Sequence, residues 1–410
     1  MKRGTFVRVL RLLPIALIGA IAIWLGGAVL VFPAEYVYRV LAWRESDAFD
    51  WQKFPSHPLQ AAAHPHRFAA APDPRVSQLF GELAQTNDWD RFLESNETQA
   101  FIVIQDGKIR YEGYFNGTKR DSIVTSFSVS KSFVSTLVGM AIDEGFINSV
   151  DEPITNYLPE LADRDPRFQA ITIRHLLRMA SGLDYQEFRA FLFNGDDPLT
   201  TYYTDQRKIA LENTHIIGPP GALFRYNKYH PQLLGMILER STGMTVTGFM
   251  QTRLWNRIGA EYDASWSTDS ESSDFEKMET GVNARAIDFA RLGVLFLNQG
   301  RWEEKQILSA DWVRQSTMPY FPQTADPYYW DWFASLPGRS YYGYMWWGME
   351  RDDRSFDFAA EGDKGQFIYV SPARNLVIVR NGIDFGIPAH QWLHLFYDFS
   401  ARYKSTEGEK

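Results

Sequence analysis

The chain has 410 residues, of which 45% are hydrophobic, 15% aromatic and 22% charged, an ordinary globular balance rich in aromatic residues. Its net charge of −8 provides no basic surface of the kind that holds nucleic acid, so no nucleic-acid partner is expected. It has no cysteine, which excludes disulfides, thiolate catalysis and cysteine-ligated metals together.

A basic tail at 1–11, with Lys2, Arg3, Arg8 and Arg11, precedes an apolar run from Leu12 to Phe32 that only Pro14 and a few glycines interrupt. Roughly 21 residues are enough to cross a bilayer core of about 30 Å. The leading cations favour an inside N-terminus. The run at 12–32 is therefore expected to be a single-pass anchor in the inner (cytoplasmic) membrane, with the rest of the chain periplasmic. A cleaved signal peptide is the rival, but the run is long for one and no Ala-x-Ala-like site closes it. Residues 33–75 read as a linker, with Pro55, Pro58, Pro65, Pro72 and Pro74 set among alanines. His57, His64 and His66 in that stretch lack a carboxylate cluster to complete a metal site, so neither metal nor cofactor is expected.

A folded domain is expected over 76–404, with a short tail at 405–410. It opens on a helical pattern from Val76 to Phe92. Two strand-like runs, Gln99–Gln105 and Lys108–Phe115, flank Asp106-Gly107 and predict a β-hairpin. The text from Ile171 to about Asn298 is mostly helical in pattern. Strand-like runs return at Tyr341–Trp347, Phe356–Ala360, Gln366–Val370 and Leu376–Arg380, before an amphipathic helix over Ala389–Tyr403. Strands at both ends and helices between them predict an α+β fold. An antiparallel sheet from the N- and C-terminal segments would be flanked by helices, with a mainly helical second lobe. A cleft between such lobes is a usual place for a small-molecule site.

Between hairpin and helices lies Ser126-Phe127-Ser128-Val129-Ser130-Lys131, which contains a Ser-x-x-Lys tetrad, Ser128 and Lys131. The apolar pattern Val134–Gly145 that follows is helical and stopped by a glycine. At i and i+3 the hydroxyl and the amine share one face. The helix N-terminus adds free N–H groups that can receive a developing oxyanion. Ser126 or Ser128 could equally cap the helix, and Lys131 could be a solvated first-turn residue. A cation at that end of a helix is unfavourable, which suits a lysine whose pKa is held low for use as a base.

The wider pattern is more specific. Ser126–Gly145, Ser149–Leu161, Ile171–Leu177, Ala180–Leu183, Pro220-Gly221 with Phe224-Arg225-Tyr226, Leu233-Leu234-Gly235, Asp288–Gly293, Tyr342–Trp347 and Gly365–Val370 together resemble the serine β-lactamase and penicillin-binding-protein superfamily, on its class C-like side. The resemblance runs from about Gln99 to Asn381, and Met179–Tyr185 with the Gly365-Gln366 strand look most like the 6-aminohexanoate-dimer hydrolase group. It implies a β-lactamase-like fold and a catalytic set of Ser128, Lys131 and Tyr226. The third position of the tyrosine motif is Lys228 where the family has asparagine, with Asn227 between. The third family motif is matched best by Ala360-Glu361-Gly362, without its leading cation, which argues against β-lactams and for uncharged amides or esters. Lys364 would compensate for that cation or merely decorate a turn. The resemblance further implies an oxyanion hole from the backbone N–H groups of Ser128 and Asp363. It places Tyr185, Lys228, Gly362 and Gln366 at the substrate. His175 reads as a packed or capping histidine. The aromatic residues Tyr328, Tyr329, Trp330, Trp332, Phe333, Tyr341, Tyr342, Tyr344, Trp346 and Trp347 divide between cleft wall and core.

The expected function is that of a membrane-anchored serine hydrolase working through an acyl-enzyme. Its candidate substrates are aminohexanoate-type linear amides, short esters, or D-alanyl-D-alanine peptides as in peptidase or β-lactamase-type activity. A catalytically idle envelope binding protein is the alternative of another class. No Gly-x-Ser-x-Gly, His-Glu-x-x-His or Walker-type loop points elsewhere. The sequence leaves the oligomeric state open.

Overall fold

The structure is a computed structural model that describes Gly19 and residues 24–187, 189 and 191–404. The basic tail at 1–11, the tail at 405–410 and positions 12–18 and 20–23 of the expected anchor lie outside the described residues. Among the described residues, no helix is long and apolar enough to cross a membrane.

Fourteen strands are described. They are β1 (Ser56–Leu59), β2 (Ala69–Ala70), β3 (Thr98–Gln105), β4 (Lys108–Tyr114), β5 (Val124–Thr125), β6 (Ala264–Ser267), β7 (Val282–Ala284), β8 (Arg301–Trp302), β9 (Lys305–Gln306), β10 (Arg339–Tyr342), β11 (Trp347–Glu350), β12 (Phe356–Gly362), β13 (Gln366–Ser371) and β14 (Leu376–Gly382). Eight of them form one sheet in the order β10-β11-β12-β13-β14-β3-β4-β2. All of its pairings are antiparallel except the short β2–β4 contact. The expectation of a sheet shared by the two ends of the chain is met at β3 and β14, where Val103 lies opposite Ile378. Its α+β class is likewise as expected. Asp106 and Gly107 take φ of 53° and 71°, the two left-handed residues of a type I′ turn, and so close the β3–β4 hairpin.

The main helices are α1 (Ala34–Trp43), α2 (Arg75–Ala84), α3 (Ser130–Asp143), α4 (Asp196–Tyr202), α5 (Tyr229–Thr242), α6 (Ala286–Leu297), α7 (Pro327–Ser335) and α8 (Ala389–Arg402). Helices α2 and α8 cover one face of the sheet. Phe80 stacks on Phe399 at 4.0 Å, and Phe396 meets Phe101, Phe367 and Tyr369. Helix α6 covers the other face, where Phe296 packs against Trp346 and Phe358. With both faces covered, every residue of β3 is buried. The second lobe is helical, and α5 packs on α3 within it. Because α3 is enclosed on all sides, it is buried from Ser130 to Ala141, polar positions included. Most of its hydroxyls are satisfied: Ser130 bonds Ser126 and accepts from the Val282 N–H, Ser132 donates to the Met345 carbonyl and Thr136 to the Ser132 carbonyl, while Ser135 Oγ has no partner among the described residues.

Three expectations are corrected. The helix expected over Val76–Phe92 is two, because Gln85 takes a left-handed C-cap and Asp88 caps a new helix at Trp89–Ser95 by accepting from Arg91 N–H. The run Tyr341–Trp347 is not one strand. It turns between β10 and β11, with Met345 at φ 60°. The stretch 33–75 is not a free linker. β1 pairs with β6 in a second sheet of order β1-β6-β7-β5, and Leu59 is fully buried. His57 lies between Asp274 and Glu276, and its hydrogen bond to Glu276 leads in raising its pKa to about 9, against the pull of burial. Helix α1 is docked too: Tyr36 donates to the Phe193 carbonyl, and buried Arg39 donates to the Asp269 and Tyr202 carbonyls. Period and turn signals mark strands and helices within a segment, but pairing across two hundred residues has no local signature.

Arg39→Ala removes the charged donor that ties α1 to the second lobe. The expected loss is about 1.5–3 kcal/mol, seen as faster hydrogen exchange over 34–59 with β3 and β14 unchanged. Unaltered exchange at 34–59 would show that the docking does not depend on Arg39.

Candidate active site

The tetrad sits where the two lobes meet. Ser128 lies in a 3-10 turn, Phe127–Val129, that runs directly into α3. Phe127 holds φ at 42°, in the left-handed region that a residue with a bulky side chain rarely adopts. Strain of this kind costs on the order of 1–3 kcal/mol and is held by the packing around it. Here it sits at the turn that carries Ser128. From the first turn of α3, Lys131 brings its Nζ to 2.7 Å from Ser128 Oγ and donates to the Glu279 carbonyl at 3.1 Å. Lys131 is 1% exposed.

Its pKa is lowered to about 7, first by burial and then by the Lys228 ammonium, while Glu279, Glu361 and Asp197 pull the other way. At neutral pH a substantial fraction of Lys131 is an uncharged amine beside a hydroxyl. Tyr226 completes the group, with Lys131 Nζ 4.9 Å from its ring centroid. Burial and the Glu361 carboxylate push the Tyr226 phenol well above its ordinary value, with the Ser128 hydroxyl acting the other way. The nearby lysine therefore does not make the phenol more acidic. Tyr226 stays protonated and Lys131 is the group that loses its proton. Tyr329 and Trp347 stack on the two sides of the phenol ring's neighbourhood, at 5.5 and 6.0 Å between centroids.

The cavity over this group is about 620 Å³, and Ser128, Tyr185, Tyr226, Lys228, Glu361 and Asp363 line it. Tyr185 reaches it and contacts Thr200 Oγ1 at 3.3 Å. Lys228 occupies the wall and pairs with Asp197. Burial alone would push the Lys228 ammonium toward neutrality, but Asp197 reverses that and holds its pKa above the ordinary value. Asn227 faces away, fully buried, with its side chain bonded to the Asp184 carbonyl and the Tyr229 N–H. Glu361, at the end of β12, is pushed up to about 7 by burial and Asp363, against Lys131 and the Trp347 indole. Gly362 has no room for a side chain. A Cβ there would stand 2.5 Å from the Ser126 carbonyl and 3.0 Å from Ser128 N, so only glycine lets β12 run against the Ser128 turn. Asp363 follows at the rim.

Gln366, expected at the substrate, lies elsewhere. Gln366 is 1% exposed and does not line the cavity. Its amide donates to the Lys364 and Gly382 carbonyls and accepts from Asn381 and Gly382, so it braces the β13–β14 end rather than meeting substrate. Lys364 takes φ of 58° in the turn after β12, and its Nζ lies 3.8 Å from Asp384. His175 caps its own helix by accepting from the Thr172 N–H at 3.0 Å, which matches the capping reading. The aromatic group divides. Tyr328, Tyr329, Trp332 and Trp347 line the cavity, while Tyr341, Tyr342, Tyr344 and Trp346 are core. Sequence reasoning missed Asp197, Glu187 and the charge of Glu361. No motif marks them, and only folding brings Asp197 and Glu361 to Lys131 and Glu187 to Lys228.

A family model described as Beta-lactamase matches residues 93–381. The 6-aminohexanoate-dimer hydrolase of Paenarthrobacter ureafaciens is 29% identical over 338 residues, which covers 78% of this chain and 82% of the relative. A Bacillus anthracis structure provisionally described as a 6-aminohexanoate-dimer hydrolase superposes with a TM-score of 0.69 at 21% identity, over 88% of this chain and 93% of that one. A class C β-lactamase superposes with a TM-score of 0.59 at 16% identity, over 83% of this chain and all of that one.

Lys131 must be uncharged to take a proton, so kcat/KM is expected to fall as pH drops below about 7. Lys228→Ala removes a cation that lowers the Lys131 pKa and frees Asp197 to raise it. The acidic limb therefore moves to higher pH. Each unit of movement costs up to about tenfold in kcat/KM at neutral pH. A pH–rate profile of the variant whose limb stays in place would show that Lys228 does not tune Lys131.

Proposed function

The chain belongs to the β-lactamase family of serine hydrolases, and from that premise we propose that it cleaves amides or esters through an acyl-enzyme on Ser128. The observation that carries the reading is the 2.7 Å approach of a buried, partly uncharged Lys131 to the Ser128 hydroxyl. Lys131 takes the Ser128 proton as Oγ attacks the carbonyl carbon. The oxyanion forms between the backbone N–H groups of Ser128 and Asp363, each worth roughly 3–4 kcal/mol. Tyr226 gives its proton to the departing nitrogen or oxygen and recovers one from the Lys131 ammonium. Water then attacks the acyl-enzyme, with the same pair moving protons in reverse.

The charges around the cavity favour a linear amide of the aminohexanoate type or a short ester over a β-lactam. Ala360 stands where a cation would hold the β-lactam carboxylate, and Glu361, Asp363, Glu187 and Asp197 line the wall. The one cation among these lining groups, Lys228, is already paired. The dimer hydrolase relative supports the same choice.

A fluorophosphonate is expected to add once to the protein, by intact mass, and not to the Ser128→Ala variant. The intact protein is then expected to turn over linear amides or short esters at least tenfold faster than β-lactams. A folded protein that takes no adduct would favour the idle binding protein, and faster β-lactam turnover would reverse the substrate order.

The proposal includes a membrane tether at 12–32 with the cleft on the periplasmic side. Its support is the apolar run itself and the exposed Val29, Leu30 and Val31 just before α1. The full-length chain is expected to stay with the membrane fraction through an alkaline carbonate wash. Recovery in the wash would remove the tether.

A further inference from the structure

The cavity at Ser128 does not end the cleft. A second cavity of about 700 Å³ adjoins it, and Ser46, Glu187, Asp197, Thr201, Lys228 and Asp363 line both. One wall of this arm is α1 and the turn after it, through Val40, Leu41 and Arg44. The neighbouring wall is α4, through Pro198 and Tyr202, with Leu192 also in the lining. Helix α1 lies outside the residues 93–381 that match the family, so this wall is built by a segment that precedes the shared domain. It is held in place by Arg39 and Tyr36, as described, and by Trp43 edge-on to Tyr202 at 5.9 Å.

The chemistry of the arm is specific. Three of its cations are already paired: Lys228 with Asp197, Arg189 with Asp196, and Lys364 near Asp384. Glu187 and Asp363 belong to the part shared with the Ser128 cavity, and beyond them the lining includes apolar surface at Leu41 and Leu192, which are 40% and 48% exposed. Isolated exposed leucines are ordinary, but two that line one cavity adjoining that of the nucleophile are the lining expected of a binding site. In the same lining, next to Ser46, Arg44 and Glu45 offer one charge of each sign, and neither has an ion-pair partner among the described residues.

We propose that the two cavities form one elongated substrate site, in which the arm between α1 and α4 takes the uncharged inner units of a linear, flexible oligoamide that extends beyond the bond held at Ser128. The inference rests on the amide-cleaving reading above and adds chain length as the property selected. The methylene segments lie against Leu41, Leu192, Pro198 and Tyr202. The charged end of the chain emerges at Arg44 and Glu45. Burying each added methylene strengthens binding by more than ordering the added chain weakens it. Affinity therefore rises with length until the arm is full.

The test separates binding from catalysis. Full-length Ser128→Ala protein is titrated by calorimetry with the linear aminohexanoate dimer, trimer and tetramer. The tetramer is expected to bind at least tenfold more tightly than the dimer. Adding Leu41→Trp, and independently Leu192→Trp, is expected to collapse that ratio to within about twofold of one. Both side chains are partly exposed, so either variant is expected to fold. A dissociation constant independent of length, no binding at any length, or a ratio that both variants leave intact would overturn the arm. Failure of the acyl-enzyme reading shows separately, as a missing fluorophosphonate adduct.

Discussion

The structure around the cleft depends on keeping an amine uncharged inside protein. Moving a lysine from its ordinary value to about 7 corresponds to about 5 kcal/mol of preference for the neutral form. Burial in α3 supplies the largest share, and that requires the helix to be enclosed on every side. Enclosure requires α5 on one flank and the end of the main sheet on the other. The glycine at 362 then follows, because a sheet edge brought this close to Ser128 N leaves no space for a side chain.

The charges nearest the amine form a balanced set of a different make from the family's. A cation at 228 replaces an amide, and an acid at 361 faces the same amine from the strand side. Lys228 drives the proton off Lys131. Glu361 and Asp197 draw it back, and Asp197 also keeps Lys228 charged. The two tendencies oppose one another in a water-poor cleft, where each is stronger than at the surface. Glu361 and Lys131 both titrate near neutrality, so their protonation behaves as a shared property of the pair.

Much of this was legible in the sequence wherever the physics is local. Asp106-Gly107 announced its hairpin because a type I′ turn needs left-handed residues at both central positions. Ser128 and Lys131 announced their meeting because i and i+3 share a helix face. Tyr226 was reached through its resemblance to a motif, and the structure places it beside both. Gln366 was misplaced because strand position alone does not say which way a side chain turns at a hairpin end, where it is held by Asn381 and Gly382. The docking of 33–75 was hidden for the opposite reason. Prolines and alanines look like spacer text, and the tie from Arg39 to the Asp269 carbonyl spans 230 residues. Asp197, Glu187 and Glu361 are ordinary acids until folding brings them to the two amines of the cleft, Lys131 and Lys228.

The pairing of β3 with β14 has a consequence for how the protein is made. Val103 and Ile378 are neighbours in the sheet, yet roughly 275 residues separate them along the chain. A ribosome adding about 5–20 residues per second takes roughly 15–55 s to cover that distance. Through that interval the β3–β4 hairpin exposes the apolar edge that β14 will cover, an edge open to wrong partners. The central sheet cannot close until its last strand is released. Such a polypeptide carries an unpaired strand edge for most of its synthesis, and whatever shields that edge must act before the last strand arrives.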